Sequence, residues 1–175
     1  MSGLAEPVFQ DIPVSTSSQG GVRPIYTPQE RWRRDHSVWT LVQGILAPVQ
    51  FLVFLVSLGL VLHYLRTGDG YRAATISVVI KTLTLYAIMI TGSIWEKAVF
   101  GRYLFAPSFF WEDVFSMLVL ALHTAYLVAL ASGTWSPGTL MLLALAAYAS
   151  YAINAAQFIY KLRRARLERP AAAMA

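Results

Sequence analysis

The sequence contains no cysteine among its 175 residues. This absence excludes disulfide bonds, thiol nucleophiles and cysteine-ligated metal clusters. Charge is also scarce, since 13% of the residues are Asp, Glu, Lys or Arg whereas 57% are hydrophobic. The sequence has no phosphate-binding loop, dinucleotide fingerprint, metal-ligand cluster or nucleophile elbow. The composition therefore indicates one membrane domain, with no room for a separate soluble domain.

Four long apolar runs occupy most of the chain, over residues 41–65, 75–95, 114–131 and 139–160. A bilayer core about 30 Å thick requires about 20 apolar residues per helix, and each run is close to that length. The sequence therefore predicts an all-α integral membrane protein whose domain, residues 26–166, has four transmembrane helices. Residues 1–25 are polar and predict a disordered tail, and residues 167–175 are assigned to a C-terminal tail.

A short helix is predicted before the first transmembrane helix. Thr27, Pro28 and Glu30 have the spacing of an N-cap, a proline at the first helical position and a capping-box glutamate. This helix is expected to run to about Arg34 and to lie at the membrane interface, where Trp32 contacts the headgroups.

Basic residues are concentrated at alternate ends of the apolar runs. The N-terminal flank, the second loop and the C-terminal tail together carry eleven Lys and Arg, whereas the first and third loops carry two. Positive loops remain in the cytoplasm, so both termini and the second loop, residues 96–111, are predicted to be cytoplasmic. This distribution explains the sequence pI of about 9.7 without a nucleic-acid partner.

Each predicted transmembrane helix has one polar stripe. On the first helix Gln43, Gln50, Ser57 and Tyr64 repeat every seven residues, which keeps them on one slowly drifting face. Four such stripes facing inward would line a polar cavity. The alternative for Ser, Thr, Asn and Gln is that they only join helices, at about 0.6 kcal/mol per interhelical hydrogen bond.

Ionisable side chains at membrane depth are the main functional candidates. Lys81, His123 and Asn154 lie within the runs, where polar groups are costly enough to indicate a function. His123 is a proton relay, an axial ligand to a metallotetrapyrrole or a satisfied interhelical donor, and these alternatives stay open. Lys81 has the further alternative of snorkelling towards the interface.

Three carboxylates flank the second loop. Glu112 and Asp113 begin the third helix, where the helix dipole stabilises acidic groups, and spacing places Glu112 on the same face as His123. Glu112 is still about 16 Å from His123 along the helix axis, so the two are not a hydrogen-bonded dyad. Glu96 follows the second helix, where the dipole disfavours a carboxylate. Carboxyl groups in such opposed environments are typical of an acid and base pair.

Long segments of the chain resemble the 3-vinyl bacteriochlorophyllide hydratase family of phototrophic bacteria. The resemblance is carried by WTLVQGILAPVQFLVFLVSL (39–58), KTLTLYAIMITGSIWEKAVFGRYLFAPSFFWEDVFSMLVLALHTAYL (81–127) and YAINAAQF (151–158). It extends from about Tyr26 to Arg166 and leaves out the N-terminal tail.

The resemblance implies hydration of the C3 vinyl group of chlorophyllide a, or a close relative, to a 1-hydroxyethyl group. A hydro-lyase of this kind needs water and a chlorophyllide-type tetrapyrrole, with no redox or nucleotide cofactor and with magnesium only as part of the substrate. The implied location is the bacterial inner or intracytoplasmic membrane, and neighbouring enzymes of pigment biosynthesis are candidate partners. The family supplies no catalytic residues to transfer.

The chemistry requires an acid for the vinyl group, a group to take a proton from water, and a flat apolar slot. We expect Glu96 or Glu112 to be the acid, with Asp113 or His123 orienting the water. The residues expected to bind the substrate are Lys81, Asn154, Trp95, Tyr103, Phe105, Phe110 and Trp111. For the aromatic members the alternative is an interfacial belt.

Other classes of function fit the sequence less well. A small exporter would be expected to hold a carboxylate in mid-membrane, and a two-ligand cytochrome would need paired histidines at matching depth. His63 is terminal whereas His123 is central. A non-catalytic carrier of chlorophyll-type pigments is the main alternative to the hydratase.

Overall fold

The computed structural model describes the backbone of residues 25–172 and the side chains of residues 25–166. Its helices are α1 (Pro28–His36), α2 (Val38–Thr67), α3 (Tyr71–Phe100), α4 (Phe110–Ser132) and α5 (Pro137–Ala172). The last four are long and apolar enough to cross a membrane. The predicted all-α fold with four transmembrane helices is therefore confirmed. Apart from Ile25, the predicted disordered tail lies outside the described residues.

Each long helix extends beyond the apolar run that predicted it. An apolar run marks what can lie in lipid, but the helical backbone continues through polar residues until a turn stops it. α3 ends at Gly101, which has the left-handed φ of 82° that favours glycine. Glu96, predicted to follow this helix, therefore lies inside it. α5 likewise continues through residues 167–172, which were assigned to the tail.

The short helix α1 begins as its sequence predicts. The Thr27 hydroxyl accepts a hydrogen bond from the Glu30 amide at 3.2 Å, and the Glu30 carboxylate accepts one from the Thr27 amide at 2.8 Å. Pro28 occupies the first helical position. The helix continues two residues past Arg34, to His36.

One end of the bundle, here called the α1 end, gathers α1, the loop 101–109 and the last turns of α5. The Trp95 indole donates to the Thr40 hydroxyl at 2.9 Å, which joins α3 to the start of α2. The Ser108 hydroxyl donates to the Ile25 carbonyl at 2.8 Å, and the Lys161 ammonium donates to the Ser108 carbonyl. The short connections 68–70 and 133–136 lie at the opposite end.

An aromatic cluster at the α1 end covers the loop. The Tyr26 ring stacks on Phe100, with 5.8 Å between centroids, and packs against Phe109. Burial raises the pKa of the Tyr26 hydroxyl, and the Arg34 guanidinium, 4.6 Å from the ring centroid, opposes that shift. Ile25 and Tyr26 are thereby fixed to the connection between α3 and α4.

The other half of the bundle has an apolar core that encloses hydroxyl groups. Phe54, Val61 and Met141 are among its buried side chains. The Ser57 hydroxyl bonds both Ser77, at 2.7 Å, and Tyr148, at 2.5 Å, and so joins three helices. Ser57 is buried, as the seven-residue polar spacing of this helix predicts.

Candidate active site

The carboxyl groups of Glu96 and Asp113 form a pair near the α1 end, where the N–H groups of successive residues 105 and 106 bind one carboxyl each. Glu96 comes from the last turns of α3 and Asp113 from the first turn of α4. Both side chains are buried. Two carboxylates that share a buried site repel each other, which favours a proton on one of them. The pair can therefore hold one transferable proton beside one acceptor.

Two backbone amides of the loop 101–109 bind this pair. The Phe105 N–H donates to Asp113 at 2.7 Å, and the Ala106 N–H donates to Glu96 at 3.3 Å. Phe105 has φ of 58°, a left-handed conformation that costs a non-glycine residue about 1–2 kcal/mol. Strained backbone of this kind is typical of functional sites. The strained turn brings two successive amides onto the two carboxyl groups.

Glu112 has a different partner. Its carboxylate lies 2.6 Å from the Lys161 ammonium of α5, and that ammonium also binds the Ser108 carbonyl. Sequence spacing had placed Glu112, rather than Asp113, on the inner face of α4, whereas the structure buries both. Adjacent side chains on a helix point in different directions, so Asp113 faces Glu96 and Glu112 faces Lys161.

An exposed aromatic patch adjoins the carboxyl pair. It consists of Tyr103, Phe105, Phe110 and Trp111, which are 60%, 37%, 44% and 67% exposed. Phe105 and Phe110 are in ring contact at 5.7 Å, and Phe110 contacts Trp111 at 5.6 Å. The Phe105 amide also binds Asp113, so Phe105 connects the aromatic patch to the carboxyl pair. Exposed aromatic rings at the end of a transmembrane bundle contact the lipid interface or a bound planar ligand.

Trp95 does not belong to this patch. It is half-buried and packs edge-on against Phe100 and Phe109, with centroids 5.8 and 5.7 Å away. Its indole N–H is already used in the bond to Thr40. The geometry thus gives Trp95 a packing contact inside the aromatic cluster of the α1 end.

Lys81 and His123 lie deep in the bundle and are fully buried. Lys81 does not snorkel, since its ammonium lies 3.8 Å from the centroid of the Tyr151 ring. His123 bonds the Val119 carbonyl through Nδ1 at 2.8 Å, so Nδ1 carries a proton and Nε2 faces the interior. The one described hydrogen bond of His123 is within its own helix. This contact does not support the alternative in which His123 is a satisfied donor between helices.

The two buried basic residues are remote from the carboxyl pair. Ten residues of α4 separate His123 from Asp113, or about 15 Å along the axis, and fifteen residues of α3 separate Lys81 from Glu96, or about 22 Å. Asn154 lies between these levels and donates to the Ser116 hydroxyl at 2.8 Å. The structure therefore divides the predicted site residues into a group at the α1 end and a group inside the bundle.

Three parts of the site are not recognisable in the sequence. Lys161 resembles the other basic residues that determine topology, and the amides of Phe105 and Ala106 leave no mark in a side-chain pattern. The length of the second loop and its proline were the available signals that this segment folds back on the helix ends.

A family model and two similar proteins carry the same name. A sequence model of the 2-vinyl bacteriochlorophyllide hydratase family matches residues 26–164. A protein of that name from Cereibacter sphaeroides is 65% identical over 157 residues, which cover 90% of this chain and 98% of the relative. Another from Rhodobacter capsulatus is 65% identical over 147 residues, which cover 83% of this chain and 85% of the relative. No solved structure matches the chain.

The backbone strain at Phe105 can be measured with a pair of substitutions. Phe105→Gly and Phe105→Ala both remove the ring and keep the amide, but only alanine must hold a Cβ at positive φ. We expect the glycine variant to be more stable by about 1 kcal/mol, because the left-handed conformation costs it little. Unfolding of the two variants in the same detergent provides the comparison. Equal stabilities would contradict a strained turn at this position.

Proposed function

Because the chain belongs to the 2-vinyl bacteriochlorophyllide hydratase family, we propose that the Glu96–Asp113 pair performs the acid–base chemistry of vinyl hydration. The protein is a hydro-lyase that adds water to the vinyl group of a tetrapyrrole in bacteriochlorophyll biosynthesis. In current tetrapyrrole numbering this group is attached at C3, which older nomenclature numbers as position 2. The observation that carries the proposal is a buried pair of carboxyl groups, each bound by a loop amide, beside an exposed aromatic patch.

Vinyl hydration proceeds by two proton movements. Protonation of the terminal vinyl carbon breaks the C=C π bond and leaves a cation on the carbon attached to the ring, where the macrocycle delocalises it. A water oxygen then forms a bond to that carbon and loses a proton, which gives the 1-hydroxyethyl group. The reaction consumes one water and returns one proton, so a site that alternately donates and accepts a proton suffices.

The hydrogen bonds of the pair distinguish its two members. Asp113 accepts the shorter amide bond, at 2.7 Å against 3.3 Å for Glu96. Hydrogen bonds favour the charged form of a carboxyl group, so Asp113 is assigned as the carboxylate and Glu96 as the proton donor. Glu96 protonates the vinyl carbon, Asp113 takes the proton released by water, and proton transfer between the two carboxyl groups restores the initial state.

The aromatic patch is assigned to the pigment ring. Tyr103, Phe105, Phe110 and Trp111 present flat, apolar surface next to the pair, and aromatic side chains pack well against a planar macrocycle. A tetrapyrrole lying on the patch would bring one edge towards the two carboxyl groups. The Phe105 ring would contact the substrate while its amide orients Asp113.

No redox or nucleotide cofactor is required by this chemistry, because addition of water leaves the substrate with no net gain or loss of electrons. Magnesium enters only as the metal of the chlorophyllide. Glu112, bound to Lys161, is assigned a structural role that anchors α5 to the loop 101–109.

We place the protein in the bacterial inner or intracytoplasmic membrane with the α1 end in the cytoplasm. The support is the distribution of basic residues, most of which lie on segments at that end. Substrate and product each have a large apolar macrocycle, so neighbouring membrane enzymes of the same biosynthesis are the expected source and destination.

The acid–base assignment predicts a large loss of turnover in Glu96→Gln and Asp113→Asn. Either change preserves size and hydrogen bonding but removes a proton donor or acceptor, so we expect a decrease of about 10²–10⁴-fold. Turnover is measured as loss of the vinyl group in membranes supplied with chlorophyllide a. Pigment binding and the amount of protein in the membrane should stay near native.

Matched controls are available elsewhere in the chain. Glu112→Gln, Ser57→Ala and Thr84→Ala should retain most of the turnover. Glu112 and Ser57 only join helices, and the Thr84 hydroxyl only bonds carbonyls of its own helix. Normal turnover in both Glu96→Gln and Asp113→Asn would exclude the pair as the acid–base site.

The orientation is tested by reporters of membrane sidedness. A fusion after Ala175 should report the cytoplasm, and a reporter within residues 133–136 the opposite side. Either result reversed would contradict the charge argument and would place the carboxyl pair on the wrong face for a pigment made in the cytoplasm.

A further inference from the structure

Buried polar atoms from all four membrane helices lack hydrogen-bond partners within the described part of the chain. They include both amide atoms of Gln50 on α2, the Lys81 ammonium on α3, Nε2 of His123 on α4 and Oδ1 of Asn154 on α5. An unpaired buried polar group costs about 1–3 kcal/mol, so such groups are normally satisfied. Their concentration in one bundle indicates that the interior holds a hydrogen-bonding ligand.

Gln50 and Asn154 lie at the same depth. The rings of Phe54 and Tyr151 are in contact at 4.9 Å, and α2 and α5 run in opposite directions. Gln50 is four residues from Phe54 and Asn154 is three from Tyr151, each about one turn towards the α1 end. The bond from Asn154 to Ser116 brings α4 to this level as well.

Lys81 and His123 continue this set deeper into the bundle. The Lys81 ammonium lies on the same Tyr151 ring, and the His123 ring is 5.8 Å from that of Tyr148, one turn earlier on α5 and further from the α1 end. Residues three apart on a helix are neighbours on its surface, so the ammonium and the His123 ring pack on adjacent turns of α5. No hydrogen bond of the ammonium or of Nε2 is described.

In the other direction the set reaches the carboxyl pair. Ser116 follows Asp113 by three residues on α4, so the two are neighbours on the helix face, about 5–6 Å apart between Cβ atoms. Ser116 and Asp113 are both buried. We call Lys81, His123, Gln50, Asn154 and Ser116 the polar column.

The donors and acceptors of the column determine what it can hold. An anion would satisfy the Lys81 ammonium but would oppose the lone pairs of His123 Nε2 and Asn154 Oδ1. A metal cation would suit those lone pairs but would oppose the ammonium. Water both donates and accepts, so it alone of these three satisfies every member. Buried water typically makes about three hydrogen bonds to polar groups of this kind.

We infer that the polar column is a water-binding site inside the bundle that supplies the attacking water to Asp113. The supply role rests on the proposed acid–base function of the Glu96–Asp113 pair. Water arriving from the interior would reach the carboxyl pair from the side opposite the aromatic patch. A pigment covering the patch could then shield the cation from bulk solvent while the nucleophile remains available.

Internal water can be detected by radiolytic hydroxyl-radical labelling in lipid nanodiscs. The native chain has no cysteine, so single thiols provide unique labelling positions. Ser116→Cys exchanges one small group for another within the column, and Leu118→Cys places a matched thiol on the lipid-facing surface of the same helix. We expect the column thiol to be oxidised about tenfold faster, because radicals form from the water in contact with it.

The supply role is tested by making the column apolar. The double variant Gln50→Leu, Asn154→Leu should lower kcat about 10²-fold, the lower end of the range for general acid–base groups, with KM for the pigment unchanged. Gln50→Ser with Asn154→Ser, which puts hydroxyl groups in place of the amides, should keep most of kcat. Ile153→Ala, a lipid-facing neighbour of Asn154, is the matched control.

The outcomes separate the two proposals. Equal oxidation of the two thiols would overturn the water site, whatever the turnover of the Glu96 variants. Fast oxidation of the column thiol with normal turnover in the double leucine variant would overturn the supply role. If the leucine variant does not accumulate, the Gln50→Ser, Asn154→Ser variant provides the test. It is expected to keep most of its turnover, so a loss as large as in Glu96→Gln would contradict the supply role. Normal turnover in Glu96→Gln, by contrast, would contradict only the acid–base assignment.

Discussion

The pairing of the buried Glu96 and Asp113 carboxyl groups is the interaction on which the organisation of the α1 end depends. It joins α3 to α4, and the loop between them closes over it with two amide donors. Ser108 of that loop binds both Lys161 of α5 and the backbone at Ile25. Tyr26, the first residue of the family match, stacks on Phe100 at the end of α3. Ile25 and Tyr26, the loop and α5 therefore converge around the carboxyl pair.

The low polarity of a bilayer explains why the polar groups fall into two zones. At the α1 end, the carboxyl groups are bound by Lys161 and by backbone amides, so each has a partner within the described chain. Inside the bundle, Lys81 and His123 have no described hydrogen bond for Nζ or Nε2. Polar groups at that depth are retained only where a function compensates for their cost. Proton transfer and water binding are the two functions assigned here.

The fold could be predicted from the sequence because lipid imposes a strong length and polarity signal on every span. The start of α1 was also predictable, since a capping box is a local pattern. The helix ends could not be predicted, because polar residues such as Glu96 continue a helix without adding to its apolar run. The Glu96–Asp113 contact depends on how the loop 101–109 folds back, and the choice between adjacent Glu112 and Asp113 depends on a lysine 48 residues beyond Asp113. Such contacts leave no periodic signal.

Infrared difference spectroscopy of the resting protein tests the central claim most directly. A shared proton predicts the C=O stretch of one protonated, hydrogen-bonded carboxylic acid, shifted by exchange into D₂O. The band should disappear in both Glu96→Gln and Asp113→Asn, because each change removes the pair, and should persist in Glu112→Gln. A band that survives loss of Glu96 and of Asp113, or a native spectrum without a protonated carboxyl at neutral pH, would contradict the account.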